Sequence, residues 1–359
     1  MYRNDNILKR LSMEHEMKQR RVNMKDIAAE AGVSVATVSY IINGRTDQAI
    51  NPATVKKVKD AVNRLGYVPN LGARALASRK TRLLGLVIPQ TESGDALMFA
   101  NSFYGEFLGA FELEARKRGY SILISGTDID QSYVNVAKQR CLDGVVVVGM
   151  KEENDLKDLA ASGIPVVLVD THDAGDEFTT VNIDDSQGGA LATGHLYSMG
   201  HRKIGLLTGY VDDRGINHER FMGYRDFLIG KGAFDDKYVY SGTVSFEWGV
   251  EAGMRFAKME DRPTAVFATA DILAAGFIKG VKRSGLRVPE DVSVMGFDDG
   301  FLAKFADPEL TTIRQDVDGK GTYAAKLIIE AVEDKECGAT HMVLPVSLVE
   351  RESVKAIVR

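Results

Sequence analysis

The sequence predicts an all-α head of three short helices and a helical hinge, joined to a two-lobed α/β domain built on parallel sheets. Three observations predict it. Residues 24–43 read as two short helices broken at Ala31-Gly32-Val33-Ser34. From Leu83 onward strands alternate with helices, and near residue 188 the alternation starts again. The charge is also split along the chain. The 359 residues carry −5 overall, yet residues 22–80 hold nine Lys/Arg against four Asp/Glu, net +5; residues 1–21 are +3 and the remainder −13. A basic head on an acidic body fits a nucleic-acid-binding module joined to a soluble domain that does not itself stick to phosphate. The length exceeds what one simple core needs, so two or three domains are expected.

Each element of the head has a local reason. Gly32 suits the left-handed conformation that ends a first helix, and Ser34 can cap the second by accepting an orphan backbone N–H. Ile27, Ala28, Ala31, Val33, Val38, Ile41 and Ile42 give both helices one apolar side. The second helix keeps Ala36, Thr37, Ser39 and Tyr40 on the other, as a helix must if one face packs and the other enters a DNA major groove. An ordinary helical hairpin in a larger core is the plainer alternative. Asn51-Pro52-Ala53-Thr54 starts a third helix with an N-cap residue and proline at its first position. Val55, Val58, Ala61, Val62 and Leu65 recur at helical spacing, enough to close a miniature core. Gly66-Tyr67 stops that helix and Pro69 breaks the chain.

Residues 68–80 have capping and helix-favouring residues, Asn70 and the stretch 73–77, but little to bury, so a helix here is marginal alone. One that forms only against DNA would look like this, with Leu76 a minor-groove wedge beside Arg74. A flexible linker is the alternative. The α/β pattern follows: strands at 83–89, 121–124, 144–148 and 165–169, with helices at 103–118, up to about 141, and near 155–162. The second round has helices at 188–199, 220–230 and 271–284 and strands at 203–207, 264–268 and 292–297. Strands and helices at this spacing mean parallel units with helices on both faces. Two successive units with a cleft between them make a clamp for a small molecule, held beyond the strand C-termini.

Other features bound the function. Cys141 and Cys337 form no spaced motif, so no metal site or disulfide framework is implied; each reads as a buried small hydrophobe in a reducing cytosol. No run of eighteen apolar residues and no signal peptide is visible, so a cytoplasmic protein without a membrane span is expected. Residues 1–21 form an N-terminal extension to which no function is assigned. His172, His195, His201 and His218 have no ligand spacing, and His201 reads as a structural turn residue. No Gly-x-Gly-x-x-Gly follows a first strand, and no P-loop or Ser/His/Asp arrangement stands in a credible frame, which argues against an enzyme and implies no cofactor.

Several motifs in order carry a resemblance. They are Lys25-Asp26-Ile27-Ala28, Ala31-Gly32-Val33-Ser34, Ala36-Thr37-Val38-Ser39, Asn43-Gly44, Leu65-Gly66-Tyr67-Val68-Pro69-Asn70 and Ala73-Arg74-Ala75-Leu76. Further on come Gly85-Leu86-Val87-Ile88-Pro89, Ile183-Asp184-Asp185, Gly200-His201, Glu219-Arg220-Phe221, Arg262-Pro263-Thr264, Gly285-Leu286-Arg287-Val288-Pro289, Gly296-Phe297-Asp298-Asp299 and Leu310-Thr311-Thr312-Ile313. Residues 22–359 together resemble the LacI/GalR family of bacterial transcription regulators. The resemblance implies a helix-turn-helix head at 22–67, a hinge at 68–80 and a periplasmic-binding-protein-like effector and dimerisation domain at 81–359. Three chain crossings near residues 182, 314 and 343 would divide that domain into an N-subdomain of 81–182 plus 314–343 and a C-subdomain of 183–313 plus 344–359.

The same resemblance implies a homodimer, with a tetramer left open, whose recognition helices read two half-sites of a pseudopalindromic operator. Val35, Ala36 and Tyr40 match base-reading positions, Thr37, Ser39 and Asn43 positions that meet phosphates or support the turn, and Arg74 and Leu76 the minor-groove contacts. Val35 and Ala36 suit thymine methyls. In the cleft, Arg220, Asp271 and Asp298 match polar ligand positions, and Phe103, Tyr104 and Trp248 supply aromatic faces. Stacking rings with charged hydrogen-bonders suit a carbohydrate effector. A cleft salt bridge without a ligand is the alternative for Arg220 and Asp298, a core role for Phe103 and Tyr104. The expected function is an effector-controlled repressor, set against a transporter's solute-binding protein, which the head argues against. Catabolite control proteins of this family take a phosphorylated carrier protein on basic residues after the Gly-Phe-Asp strand; Phe301 and Asp307 stand there instead, which favours a small molecule.

Overall fold

A computed structural model of the chain describes residues 22–42, 50–68, 80–89, 99, 101–127, 133–149, 153–172, 174–333 and 338–357. They fall into two compact units, residues 1–81 and 82–359. In the first, helix α1 (Met24–Ala31) begins at Asn23, whose side-chain oxygen accepts the amides of Lys25 and Asp26 at 2.8 and 3.3 Å. Asp26 in return accepts the Asn23 amide at 2.8 Å. This capping box satisfies N–H groups that no helical carbonyl can reach. Gly32 follows at φ +66°, a conformation that costs a side chain about 1 kcal/mol or more. Helix α2 (Val35–Ile42) starts at Ser34, whose hydroxyl accepts the Thr37 amide at 3.1 Å. Helix α3 (Pro52–Leu65) starts at Asn51, with proline in its first turn.

Ile27, Ala28, Val38, Val58, Ala61 and Tyr67 fill the core between these helices. Burying a side chain such as Val38 contributes roughly 1.5–3 kcal/mol, so a few such residues hold a module this small. Tyr67 does more than stop α3: its ring closes the core, and its amide donates to the Val62 carbonyl at 3.0 Å.

The second unit has two lobes, each a six-stranded sheet. The N-lobe runs β1 (Leu83–Pro89), α4 (Ser102–Lys117), β2 (Ser121–Thr127), α5 (Tyr133–Gln139), β3 (Gly144–Val148), α6 (Glu153–Ala161), β4 (Val166–Val169) and β5 (Thr179–Ile183). The C-lobe follows with α7 (Asp185–Ser198), β6 (Ile204–Gly209), α8 (Ile216–Gly230), β7 (Val239–Gly242), α9 (Phe246–Ala257), β8 (Ala265–Ala268), α10 (Asp271–Arg283), β9 (Ser293–Asp298), α11 (Phe301–Phe305) and β10 (Thr311–Gln315). Helix α12 (Val317–Glu333) returns to the N-lobe, strand β11 (His341–Leu344) completes its sheet, and β12 (Val346–Val349) completes the other. The sheet orders are β11-β5-β4-β3-β1-β2 and β12-β10-β9-β8-β6-β7. All pairings are parallel except β10 with β12.

The chain therefore passes between sheets three times, at residues 184, 316 and 345. β3 is buried along its whole length, because helices cover both faces of a parallel sheet. Helices α7 and α8 touch backbone to backbone: a Cβ at Gly223 would overlap the Ser186 carbonyl. That contact brings the first turn of α7 beside Arg220 on α8. His201 is structural, its ring bonded to the Thr264 hydroxyl at 2.9 Å and the Lys355 carbonyl at 3.1 Å. Cys141 corrects the sequence reading. It is exposed, on the turn after α5 at φ +52°, and so is no part of a core; Cys337 lies outside the described residues. Among the described residues no helix is long and apolar enough to cross a membrane.

Candidate DNA-reading helix and effector cleft

On α2 the burial of Val38 fixes the rest by helical geometry. Ile41 and Ile42 pack beside it against the head's core. At 100° per residue Ala36 and Tyr40 fall nearly opposite Val38. Val35 is 41% exposed and Ala36 is exposed, while Thr37, Ser39 and Tyr40 are half-buried. The Thr37 hydroxyl shares a 2.9 Å hydrogen bond with that of Ser34, which ties it to the turn. The helix carries no acidic side chain, so nothing on it repels a phosphate backbone. Its open face can make apolar contacts from Val35 and Ala36 and a phenolic hydrogen bond from Tyr40. Asn43, Arg74 and Leu76 lie outside the described residues.

Between the lobes lies a buried polar cluster, and it starts from Arg220. Its Nε donates to Asp185 Oδ1 at 2.7 Å and its Nη1 to the Thr269 carbonyl at 2.6 Å. Its guanidinium lies 3.7 Å over the Phe297 ring, and Nη1 stands 3.8 Å from Asp298 Oδ1. Asp298 ends β9 at φ +119°, strained backbone for a residue with a side chain. Its Oδ1 also accepts from Gln315 Nε2 at 2.6 Å. Gln315 Oε1 in turn accepts from Lys320 Nζ at 2.6 Å, and Lys320 donates to Asp170 Oδ1 at 2.5 Å. On the other side Asp185 Oδ2 lies 3.1 Å from His172 Nε2. Asp170, His172 and Lys320 belong to the N-lobe, Arg220 and Asp298 to the C-lobe. Asp185 and Gln315 flank the crossings at 184 and 316. The cluster thus runs from lobe to lobe along the segments that join them.

Burial and charge set the protonation here. Burial pushes the Asp298 carboxyl up to about 6, against the opposing pull of Arg220 and of the Gln315 hydrogen bond. Burial also resists ionisation of Asp185, but Arg220 and the His172 bond overcome it and hold this carboxyl below its usual range. His172 is raised: burial opposes its charge, and its hydrogen bond to Asp185 more than compensates.

The structure brings together some of the expected effector residues. Arg220 and Asp298 face each other within the cluster. Phe103 and Tyr104 sit in the first turn of α4, rings edge to face at 5.4 Å, with Phe103 5.4 Å from Lys320 Nζ. Both also pack on the core, so their faces are only partly open. Trp248, in the first turn of α9, lies against Gly242, where any Cβ would strike its ring. Its buried indole N–H has no partner among the described residues. Asp271 is 2% exposed, Oδ1 accepting the Thr312 hydroxyl at 2.7 Å and Oδ2 the Gly300 amide at 3.0 Å. Oδ1 thus ties Asp271 to β10 and Oδ2 to the loop after β9 that carries Asp298. Burial, with Asp298 beside it, pushes its carboxyl well above the usual range.

Sequence reasoning missed Asp170, His172, Asp185, Gln315 and Lys320. Asp185 stood in the Ile183-Asp184-Asp185 motif, and Lys320 left a signal of its own. Val317, Lys320, Ala324 and Ile328 make one buried helical stripe, and a lysine in it needs a partner. A cavity of about 500 Å³ is walled by Phe99, Ser102 and Glu106 of the N-lobe and Phe246, Ile272 and Phe301 of the C-lobe, and no residue of the cluster lines it. Among the described residues no group of three or more His, Cys, Asp or Glu is placed to hold a metal ion.

With this geometry in place, comparisons with known proteins are direct. Residues 23–70 match the family model for bacterial regulatory proteins of the lacI family, and residues 193–354 that of the periplasmic binding protein-like domain. Catabolite control protein A of Priestia megaterium is 32% identical over 341 residues, covering 93% of this chain and 99% of that protein. Two solved structures are similar over their full length. A lac repressor dimer bound to operator and the anti-inducer ONPF matches with TM-score 0.82 and 26% identity over 94% of this chain. A complex of the transcriptional regulator CelR with cellobiose matches with TM-score 0.68 and 30% identity over 93%.

Proposed function

This chain belongs to the lacI family of bacterial regulatory proteins, and on that premise we propose that it represses transcription from a pseudopalindromic operator under control of a carbohydrate bound between its lobes. The protein acts in the cytoplasm as a homodimer and not as an enzyme. Residues 22–67 read DNA, 68–80 form the hinge and 81–359 form the sensor. Val35, Ala36 and Tyr40 contact bases, and Thr37, Ser39 and Asn43 contact phosphates or hold the turn. Arg74 and Leu76 enter the minor groove. Arg220 and Asp298 hold effector hydroxyls, with Phe103, Tyr104 and Trp248 against its apolar faces. The observation that carries this reading is the Arg220–Asp298 pair, buried at the junction of two lobes, in a chain whose head exposes a non-acidic helix face. Effector and operator binding are then linked reciprocally. Lobe closure shifts the segments leading to the heads.

A chain cut to residues 81–359 tests the division of labour. It is expected to lose operator binding in a gel-shift assay and keep sugar binding by calorimetry. Retained operator binding would sink the proposal.

The titration of Asp298 gives a second expectation. A hydroxyl donates to an ionised carboxylate, and this carboxyl sits at about 6. Effector affinity should therefore rise from about pH 5 to about pH 7 and then level off. Stability runs the opposite way. The unfolded group ionises near 3.8 and the folded one near about 6. Its contribution is thus fully present below the first value and lost as pH rises through the second. Asp298→Asn should flatten the affinity profile; an unchanged profile would remove Asp298 from the site.

Control by a small molecule is favoured over a docked phosphoprotein. Phe301 is 48% exposed at the start of α11, and Asp307 is bonded to Lys282 at 2.9 Å, a carboxylate where a phosphoprotein needs free cations.

A further inference from the structure

We propose that Glu106 is a latch between the lobes, a positioning residue that restrains the Asp298 loop while the lobes are together and releases it when they part. Helix α11 has Gly300 at its N-cap, which has no side chain with which to cap it. The first amides of a helix have no helical carbonyl to meet. Glu106 supplies an acceptor from elsewhere: its Oε1 takes the Phe301 amide at 3.3 Å, across 195 residues of chain. Glu106 lies on α4 in the N-lobe, and Phe301 opens α11 in the C-lobe. Both residues wall the cavity of about 500 Å³ that no residue of the buried polar cluster lines. The bond is therefore a second tie between the lobes, apart from the one that runs along the crossings.

Gly300 is an independent sign of the same contact. Its φ of −71° and ψ of −176° suit any residue, so backbone freedom does not call for glycine. Space does: a Cβ here would stand 3.2 Å from Glu106 Oε1 and 3.6 Å from Ser102 Oγ, both on α4. The missing side chain lets the N-lobe helix come close enough for its carboxylate to reach the Phe301 amide. What the latch holds is the loop that carries Asp298. Asp298 at φ +119° and Asp299 at φ +59° put two side-chain-bearing residues in succession on strained backbone. Such backbone persists only where its surroundings over-determine it. Asp299 accepts from Arg314 at 2.6 Å and from Arg351 at 2.5 Å, and Asp271 accepts the Gly300 amide at 3.0 Å. Those restraints come from the C-lobe itself, whereas Glu106 reaches in from the other lobe. Parting the lobes strips α11 of its cap and the loop of one restraint. Bringing them together restores both and sets the direction of Asp298, so lobe closure and effector binding favour each other. The link to effector rests on the carbohydrate reading; the latch itself does not.

The experiment follows backbone amide exchange of the full chain by mass spectrometry, which needs no ligand. Glu106→Leu removes the acceptor, Glu106→Gln keeps an amide oxygen in its place, and Gly300→Val leaves Glu106 intact and wedges α4 away. Glu106→Leu and Gly300→Val are expected to speed exchange in residues 300–306 by about tenfold or more, as for the loss of a hydrogen bond to a charged acceptor. Glu106→Gln should stay within about threefold of the unaltered chain. Two routes to the same gap keep the test open should one variant not fold. Unchanged exchange at 300–306 would overturn the latch, and so would acceleration in α4 and β1 as large as that in α11, because Glu106 would then only support the N-lobe. Calorimetry with glucose, ribose and cellobiose tests the link to effector. A sugar that binds the unaltered chain should slow exchange at 300–306 and bind Glu106→Leu at least about fivefold more weakly. A sugar that binds and does neither would overturn the positioning role. If no sugar binds, the carbohydrate reading fails, and the exchange rates alone decide the latch.

Discussion

Replacing Arg220 with methionine is expected to destabilise the sensor by about 3–5 kcal/mol and to abolish its response to effector. The guanidinium is 4% exposed and makes three kinds of contact that methionine cannot replace. Asp185, itself 1% exposed, would keep only the His172 bond. The Thr269 carbonyl would lose its donor at 2.6 Å, and Asp298 its nearest positive charge. The cost comes from the charges left behind more than from the value of the pair. A second change, Asp185→Leu, should therefore recover much of the stability lost, because it removes the stranded carboxylate. Effector response should stay lost in the double variant. Urea unfolding followed in the sensor transition gives the magnitude. A loss below about 1 kcal/mol would mean that water reaches the cluster and screens it, as at surface ion pairs.

The same cluster suggests how a bound effector could move the fold. Asp185 directly follows the first crossing between lobes, and Gln315 directly precedes the second. A ligand that takes the second oxygen of Asp298 competes with or tightens the Gln315 bond, and through Gln315 it bears on Lys320 in the N-lobe. The polar groups proposed to hold effector would then be bonded to the segments that join the lobes. Coupling needs only that one arrangement of these bonds binds ligand better than another.

The head was legible because its determinants are local. Asn51, Pro52, Gly32, Gly66 and Ser34 act within four residues of themselves, and a cap or left-handed turn can be read from one short window. The alternation of strands and helices was legible for the same reason. The short edge strands β7, β11 and β12 and the small helix α11 were not, as each is too brief to show a period. The cleft was legible only in part. Asp298 and Arg220 stand in recognisable motifs, but the bond from Lys320 to Asp170 spans 150 residues and that from Arg220 to Asp185 spans 35. Nothing in a local window announces such partners. Asp271 is a further case: its bonds to Thr312 and to the Gly300 amide span 41 and 29 residues. Cys141 failed because a small apolar residue type is weak support for burial when the backbone around it turns at positive φ.

Ala36→Asp should be the most damaging single change to operator binding that leaves the fold intact. Ala36 is exposed in the first turn of α2, nearly opposite the buried Val38, so no packing is lost. An acidic residue in a helix's first turn is mildly stabilising on its own account. Against DNA the balance reverses. The carboxylate replaces a methyl that can meet a thymine, and it enters a groove lined by phosphates. One such reading position is worth about 1–3 kcal/mol. The proposed dimer presents it twice, so about 2–6 kcal/mol is at stake, roughly 30- to 10⁴-fold in affinity. The measurement is fluorescence anisotropy at fixed salt on an operator selected from random duplexes by the unaltered protein, because salt alone shifts such affinities. Sugar binding and the sensor's unfolding transition should be unchanged, since the substitution lies in the other compact unit. Ala36→Ser, which adds a hydroxyl and no charge, should cost far less. If Ala36→Asp binds the operator within about threefold of the unaltered chain, less than any single base contact is worth, α2 does not lie in the groove with this face inward, and another surface of the head reads the DNA.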